Sequence, residues 1–167
     1  NNLKQAAKTM NFLTEHGISS YGELESKLTA ISARRDTAHA EIKRIESRSA
    51  ELALVMKHAG TYRQLKPLYD RYRKSNDKEK FLRGHESEII LFEAAARELK
   101  RLGAVPLPTT ESMKTELANL SAEKERLLAE YKTARTEAQE YDTVKQNVDA
   151  LLTVPKEQEQ QRRHELE

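Results

Sequence analysis

The feature that most constrains this chain is a pair of apolar stripes that recur at alternating steps of four and three residues. Leu24, Leu28, Ile31, Arg35, Ala38, Ile42, Ile45, Ser49, Leu52, Met56 and Ala59 form the first stripe. Met113, Leu117, Leu120, Lys124, Leu127, Tyr131, Ala134, Ala138, Tyr141, Lys145, Val148 and Leu152 form the second. Nine of the eleven positions in the first are apolar, and only two lysines interrupt the second, in a chain that is 37% hydrophobic. Composition alone does not produce that pattern. A repeat averaging about 3.5 residues keeps one helix face turned toward a partner through a left-handed supercoil. Each stripe spans roughly 40 residues, about 60 Å of helix. Matched lengths predict that each stripe is the other's partner. The expected fold is all-α: a long antiparallel helical hairpin, a coiled coil, with a small helical subdomain at its tip.

Antiparallel pairing makes the numbers of facing residues sum to a constant, here about 169 to 176. The lower value sets Ala38 against Tyr131 and Leu52 against Leu117, and the higher sets Ala38 against Ala138 and Ile45 against Tyr131. The sequence leaves both registers open. Arg35, Lys124 and Lys145 stand at seam positions, where their stems can lie over apolar neighbours while the charged heads reach water. Such residues lower stability and help to fix register. The rival arrangement is an intermolecular coiled coil, a homodimer; matched arm lengths favour the monomeric hairpin.

Charged residues make up 34% of the chain, aromatics 5%, and there are five glycines and four prolines, a composition suited to long helices. Lacking cysteine, the chain has no disulfide framework, thiolate metal site or catalytic thiol. A reducing cytoplasm suits it and is the expected location. No apolar run approaches the roughly 18 to 20 residues of a membrane span, so no membrane association is expected. The chain opens on Asn1, with no secretory leader pattern, and a polar helix begins at once; it reads as a segment of a larger protein, with Leu166-Glu167 as a cloning remnant.

Along the chain, Leu3, Ala6, Met10 and Leu13 mark an amphipathic helix over residues 2–15 within an N-terminal element 1–17. Gly17 is placed to end it in a left-handed conformation. Ser20 followed by Glu23 is a capping-box signature at the start of a first arm, residues 20–60. A helical tip subdomain is expected over 61–103, with a kink near 63–67 caused by Pro67. Ser75-Asn76-Asp77 reads as a turn before a short helix 78–83. After Gly84 comes a helix 86–102, whose wide apolar face (Ile89, Phe92, Ala96 and Leu99 beside Ile90 and Leu91) predicts packing on two neighbours. Gly103 stops that helix, two prolines occupy the connector, and Thr109 or Thr110 caps a second arm, residues 109–153. Residues 154–167, following Val154-Pro155 with Gln, Glu, Arg and Lys, are expected to be a disordered tail.

No constellation of catalytic or metal-binding type is present. The five histidines never lie three or four residues apart, the spacing a helical metal site requires. His85 reads as a cap feature and His58 as a half-buried seam residue. Carboxylates follow solvated helix faces, and phosphate-loop, G-x-S-x-G and H-E-x-x-H patterns are missing. Neither catalytic residues nor cofactors are expected, and the segment is read as non-enzymatic. The sharpest feature is a basic stretch over 57–83, with nine Lys or Arg against Asp70, Asp77 and Glu79 in a chain of net charge +2. Arg63, Lys66, Arg71, Arg73, Lys74, Lys78, Lys80 and Arg83 could neutralise phosphates, while Tyr69 and Tyr72, with Tyr62 and Phe81 nearby, could stack on unpaired bases. The competing and preferred reading has the tyrosines packing against helix 86–102 and the cations as ordinary surface.

Three stretches, residues 1–18 (NNLKQAAKTMNFLTEHGI), 80–95 (KFLRGHESEIILFEAA) and 141–152 (YDTVKQNVDALL), resemble the C-terminal helical region of relaxase/mobilization nucleases of conjugative transposons and mobilisable plasmids of Firmicutes. The similarity extends to about residue 153. In that family an N-terminal domain nicks DNA with a tyrosine and a histidine-bound metal. This chain offers no such cluster, so no nuclease residue carries over and Tyr62, Tyr69 and Tyr72 are not cast as nucleophiles. The resemblance implies a non-catalytic scaffold that engages relaxosome or coupling proteins. The alternatives are a module binding single-stranded or nick-proximal DNA through the basic tip, and a structural coiled-coil dimerisation domain.

Overall fold

A computed structural model describes residues 2–166 of the chain; the side chains at 154–160 and 162 lie outside the description. Four helices follow in order: α1 (Asn2–Glu15), α2 (Tyr21–Lys74), α3 (Lys78–Arg101) and α4 (Thr110–Glu165). The fold is all-α, an antiparallel hairpin in which α2 packs on α4. Two compact units divide it: Asn1–Glu41 with Arg126–Glu167, and Ile42–Glu125.

In the first unit, α1 joins the early part of α2 and the later part of α4. Ile18, Leu24, Ile31, Ala138, Tyr141 and Val144 form its buried core, with Phe12, Leu13, Leu28 and Val148 packed against them. The Phe12 and Tyr141 rings meet edge to face with centres 5.0 Å apart, a geometry favoured by the ring quadrupoles. Antiparallel pairing is fixed by side chains that bridge α2 and α4: Tyr21 Oη donates to Asp149 at 2.6 Å, Arg34 meets Glu137 at 3.0 Å, and the His39 and Tyr131 rings lie 5.6 Å apart. Each pair falls within two of the lower expected constant, so this unit adopts the lower register.

In the second unit, Ile45, Leu52, Val55 and Ala59 of α2, Ile89, Phe92, Ala95 and Leu99 of α3, and Met113 and Leu120 of α4 are buried. Here α3 packs on α2 through Phe92, which stacks with Tyr62 and Tyr69, while Ile90 and Leu91, which widen its apolar face in the sequence, are exposed. Lys124 reaches Glu46 at 3.7 Å and Arg44 reaches Glu123 at 3.8 Å, again near the lower constant. Arg48 clamps Glu116 with two hydrogen bonds, Nε at 2.7 Å and Nη2 at 3.1 Å. That bond holds the Glu116 carboxyl below its ordinary range and raises the guanidinium of Arg48.

Local chemistry sets the helix ends. Gly17 (φ 64°) and Gly103 (φ 69°) take the left-handed conformation, which costs glycine little because it has no Cβ. At α1 the Ile18 N–H donates to Leu13 and the Gly17 N–H to Thr14; at α3 the Ala104 N–H donates to Leu99 and the Gly103 N–H to Lys100. Both ends are Schellman motifs that satisfy otherwise orphaned carbonyls. Ser20 caps α2 by accepting from the Glu23 N–H at 3.1 Å. The reciprocal bond of the expected capping box is shifted by one residue, since Glu23 Oε2 accepts from the Ser19 N–H at 2.8 Å. Asp77 caps α3 and Thr109 caps α4.

Three expectations are corrected. α2 continues past Gly60, as the apolar spacing predicts, but it runs through Pro67 to Lys74 as one unbroken helix where a kink near 63–67 was expected. Pro67 removes only its own hydrogen bond to the Arg63 carbonyl, and both residues are exposed, so water can satisfy that carbonyl. The break expected between helices 78–83 and 86–102 is present inside α3, as the non-helical residue His85 (φ −137°, ψ 27°). Leu152, taken as the last seam residue, is 60% exposed, because the lower register would place it opposite a point before α2 begins. Residues 154–165 continue α4, where a disordered tail was expected; a run of Lys, Glu, Gln and Arg has high helix propensity even without a face to bury. The expected remnant at Glu167 lies outside the described residues.

Candidate functional site

The basic stretch occupies about the last five turns of α2, the turn Ser75-Asn76-Asp77 and the first two turns of α3, all within the second unit. The sequence builds this corner from short-range bonds. Ser75 Oγ accepts from the Asp77 N–H at 3.2 Å, and Asp77 Oδ1 accepts from the Lys80 N–H at 3.1 Å. Asp77 is thus committed to the positive end of α3.

The ten candidate residues separate into three groups. The first consists of cations already engaged. Arg63 donates to the Thr110 hydroxyl at 3.0 Å and to the Pro108 carbonyl at 2.5 Å, tying α2 to the connector before α4. Lys66 pairs with Asp70 at 3.0 Å, one turn away on the same helix. The guanidinium carbon of Arg71 lies 5.7 Å from the centre of the Phe81 ring, within cation–π range.

The second group is aromatic, and it is packed. Tyr69 stacks on Phe92 at 4.2 Å, and Tyr62 stacks on Phe92 at 4.8 Å. Tyr72 lies 5.8 Å from Tyr69 and 6.0 Å from Phe81, which in turn lies 4.6 Å from His85. All four are half-buried. Tyr62 and Tyr69 pack on helix 86–102 as expected, Tyr72 packs on Tyr69 and Phe81, and together these rings join α2 to α3.

Arg73, Lys74, Lys78, Lys80 and Arg83 form the third group. They are exposed and make no ion pair or side-chain hydrogen bond among the described residues. Their positive charge is therefore available to an external partner.

Beside the corner lies an open cleft of about 410 Å³, lined by the rings of Tyr62, Tyr69 and Phe92, the cations Lys66, Arg73 and Arg97 and the carboxylates Asp70 and Glu93. Phe92 lies on the apolar face of helix 86–102, against which the tyrosines were expected to pack. Sequence reasoning missed Arg97 as a neighbour of the basic stretch, because it lies well beyond residue 83 and clustering along the sequence could not include it.

Other concavities have different chemistry. In the second unit Arg48, Glu116, Leu52, Met113 and the connector enclose about 260 Å³, where the charges already satisfy each other. In the first unit a wider groove of about 490 Å³ runs past Phe12, His16, Glu140, Thr143 and Asn147. Its one buried polar side chain, Thr9, is 2% exposed and donates to the Gln5 carbonyl at 2.8 Å while accepting from Asn147 at 3.5 Å. Among the described residues no group of three His, Cys, Asp or Glu side chains is arranged to hold a metal ion, and no helix is long and apolar enough to cross a membrane. Set against family models, curated proteins and solved structures, the chain matches none.

Proposed function

We propose that this chain is a non-catalytic protein-interaction scaffold, the C-terminal helical region of a DNA relaxase acting in plasmid or transposon mobilisation. Two separate supports carry the two parts of that reading. The scaffold rests on one structural observation: the apolar stripes are consumed within the molecule by α2–α4 packing, while Ile90 and Leu91 of α3 stay 54% and 56% exposed. A self-sufficient hairpin that leaves apolar side chains outward on a third helix suits docking of relaxosome or coupling proteins. The relaxase assignment rests on the resemblance of residues 1–18, 80–95 and 141–152. Intramolecular pairing also favours a monomer over a coiled-coil dimerisation domain.

The experiment is a deletion of this segment from the parent protein. The shortened protein is expected to nick its DNA site in vitro at an undiminished rate and to fail in mobilisation between cells. Loss of nicking by the purified, folded remainder would refute the non-catalytic role. An upstream reading frame without a histidine-cluster nuclease domain would refute the relaxase assignment.

A further inference from the structure

From the second unit we infer that the α2–α3 corner is a docking site for the sugar–phosphate backbone of nucleic acid, reading charge and not bases. The inference does not depend on the scaffold assignment. Arg73 and Lys74 in the last turn of α2, and Lys78, Lys80 and Arg83 in the first two turns of α3, are exposed cations that make no ion pair or side-chain hydrogen bond among the described residues. Between residues 73 and 83 only Asp77 and Glu79 oppose them; Asp70, which lines a cleft with Arg73, is paired with Lys66, and the Asp77 carboxylate already accepts the Lys80 N–H. Arg71, held over Phe81 by a ring contact and not by a carboxylate, adds a sixth positive charge.

The aromatic residues decide the mode of recognition. Base-stacking modules present open ring faces to unpaired bases. Here the Tyr69 ring contacts those of Phe92 and Tyr72, Tyr62 stacks on Phe92, and Phe81 has contacts with Tyr72, His85 and Arg71. These half-buried rings are already engaged in joining α2 to α3, so phosphate neutralisation by the exposed cations is the chemistry most open to a ligand. A duplex carries more charge per unit length than a single strand and releases more counterions for each phosphate contacted. The corner should therefore bind duplex at least as tightly as single strand, the reverse of what an aromatic stacking surface would give.

The test is fluorescence anisotropy of the 167-residue chain with a labelled duplex of arbitrary sequence, and with either of its strands, across a range of salt. Neutralising about five phosphates predicts a log–log salt slope near −4.5 on duplex, a loss of affinity of roughly 500-fold between 50 and 200 mM salt. Replacing Arg73, Lys74, Lys78, Lys80 and Arg83 together by Gln should flatten the slope and weaken binding at least about tenfold at low salt, with helicity by circular dichroism unchanged. Removing the same number of exposed charges elsewhere, through Lys4→Gln, Lys8→Gln, Lys114→Gln, Lys132→Gln and Arg135→Gln, should change binding far less. The inference is overturned if the parent does not bind at low salt, if both variants lose affinity equally, if single strand binds more tightly than duplex, or if poly-glutamate binds as well as the duplex. Should the fivefold variant lose helicity, single Arg73→Gln and Lys80→Gln variants decide, each expected to reduce the slope by about one.

Discussion

Replacing Ile45 by Ala tests whether the α2–α4 seam holds the second unit together. Ile45 is 0% exposed, and the substitution removes three methyl or methylene groups. At about 0.8 kcal/mol per buried group, the transfer loss is roughly 2.4 kcal/mol. The cavity left in a packed seam raises the expected cost to about 3–4 kcal/mol, within the usual range for such truncations. That is a large share of the roughly 5–15 kcal/mol that stabilises a typical domain. For a chain of this size it corresponds to a fall in Tm of roughly 6–16 °C. Ile90→Ala is the matched control, because the same atoms are removed from a side chain that is 54% exposed; its cost should stay below about 1 kcal/mol. The assay is urea unfolding followed by far-UV circular dichroism, at two protein concentrations about tenfold apart. If Ile45→Ala costs no more than Ile90→Ala, the seam is not the stabilising element. If the parent's midpoint rises with concentration, the stripes are pairing between molecules and the hairpin is refuted.

Three further outcomes follow from local geometry. Gly60 lies inside α2, exposed, with open space where a Cβ would project, so Gly60→Ala should stabilise the chain by about 0.5–1 kcal/mol in the same urea assay; a loss of stability would show that the site is not open. Arg63 bonds both Thr110 and the Pro108 carbonyl, and a double-mutant cycle of Arg63→Ala with Thr110→Ala should return a coupling of about 0.5–1 kcal/mol, whereas zero coupling would remove Arg63 as the tie between α2 and the connector. Glu116 is held below its ordinary value of 4.5 by the hydrogen bonds from Arg48. A carboxyl depressed in the folded state contributes stability that is complete above its unfolded value and is lost as pH falls through the lower, folded one. Stability should therefore fall on acidification below about pH 4.5, with a smaller fall in Glu116→Gln, and an identical pH profile in that variant would refute the link.

Much of the fold was legible because its determinants are periodic or local. Every residue of the first stripe, and all but Leu152 of the second, is buried or half-buried. Gly17 and Gly103 end helices through glycine's access to positive φ, which a sequence displays openly. Register was not legible, because a heptad seam tolerates a shift by one repeat; the choice falls to polar pairs such as Tyr21 with Asp149 and Arg34 with Glu137, whose partnership is invisible until the arms are aligned. Pro67 misled for a related reason. The local cost of proline in a helix is readable, but Tyr62, Leu65, Leu68 and Tyr69 flank it on a half-buried face, and that packing lies in the tertiary structure.

The candidate site shows where reading by residue type stops. Ten residues over 63–83 have the composition of a nucleic-acid surface, yet composition gives a side chain's capacity and not whether that capacity is already used. Arg63, Lys66 and Arg71 spend theirs on Thr110, Asp70 and Phe81, and Tyr69 and Tyr72 spend theirs on Phe92, Phe81 and each other. Spacing distinguishes some of these cases in advance: Lys66 and Asp70 are four apart on one helix, a pairing any helical sequence would suggest. The Tyr69–Phe92 stack joins two helices, so no window along the chain contains it. What survives this accounting is a set of five cations flanking a three-residue turn. Their availability has a consequence that the full set of ten would not: binding at this corner should track phosphate density rather than base exposure.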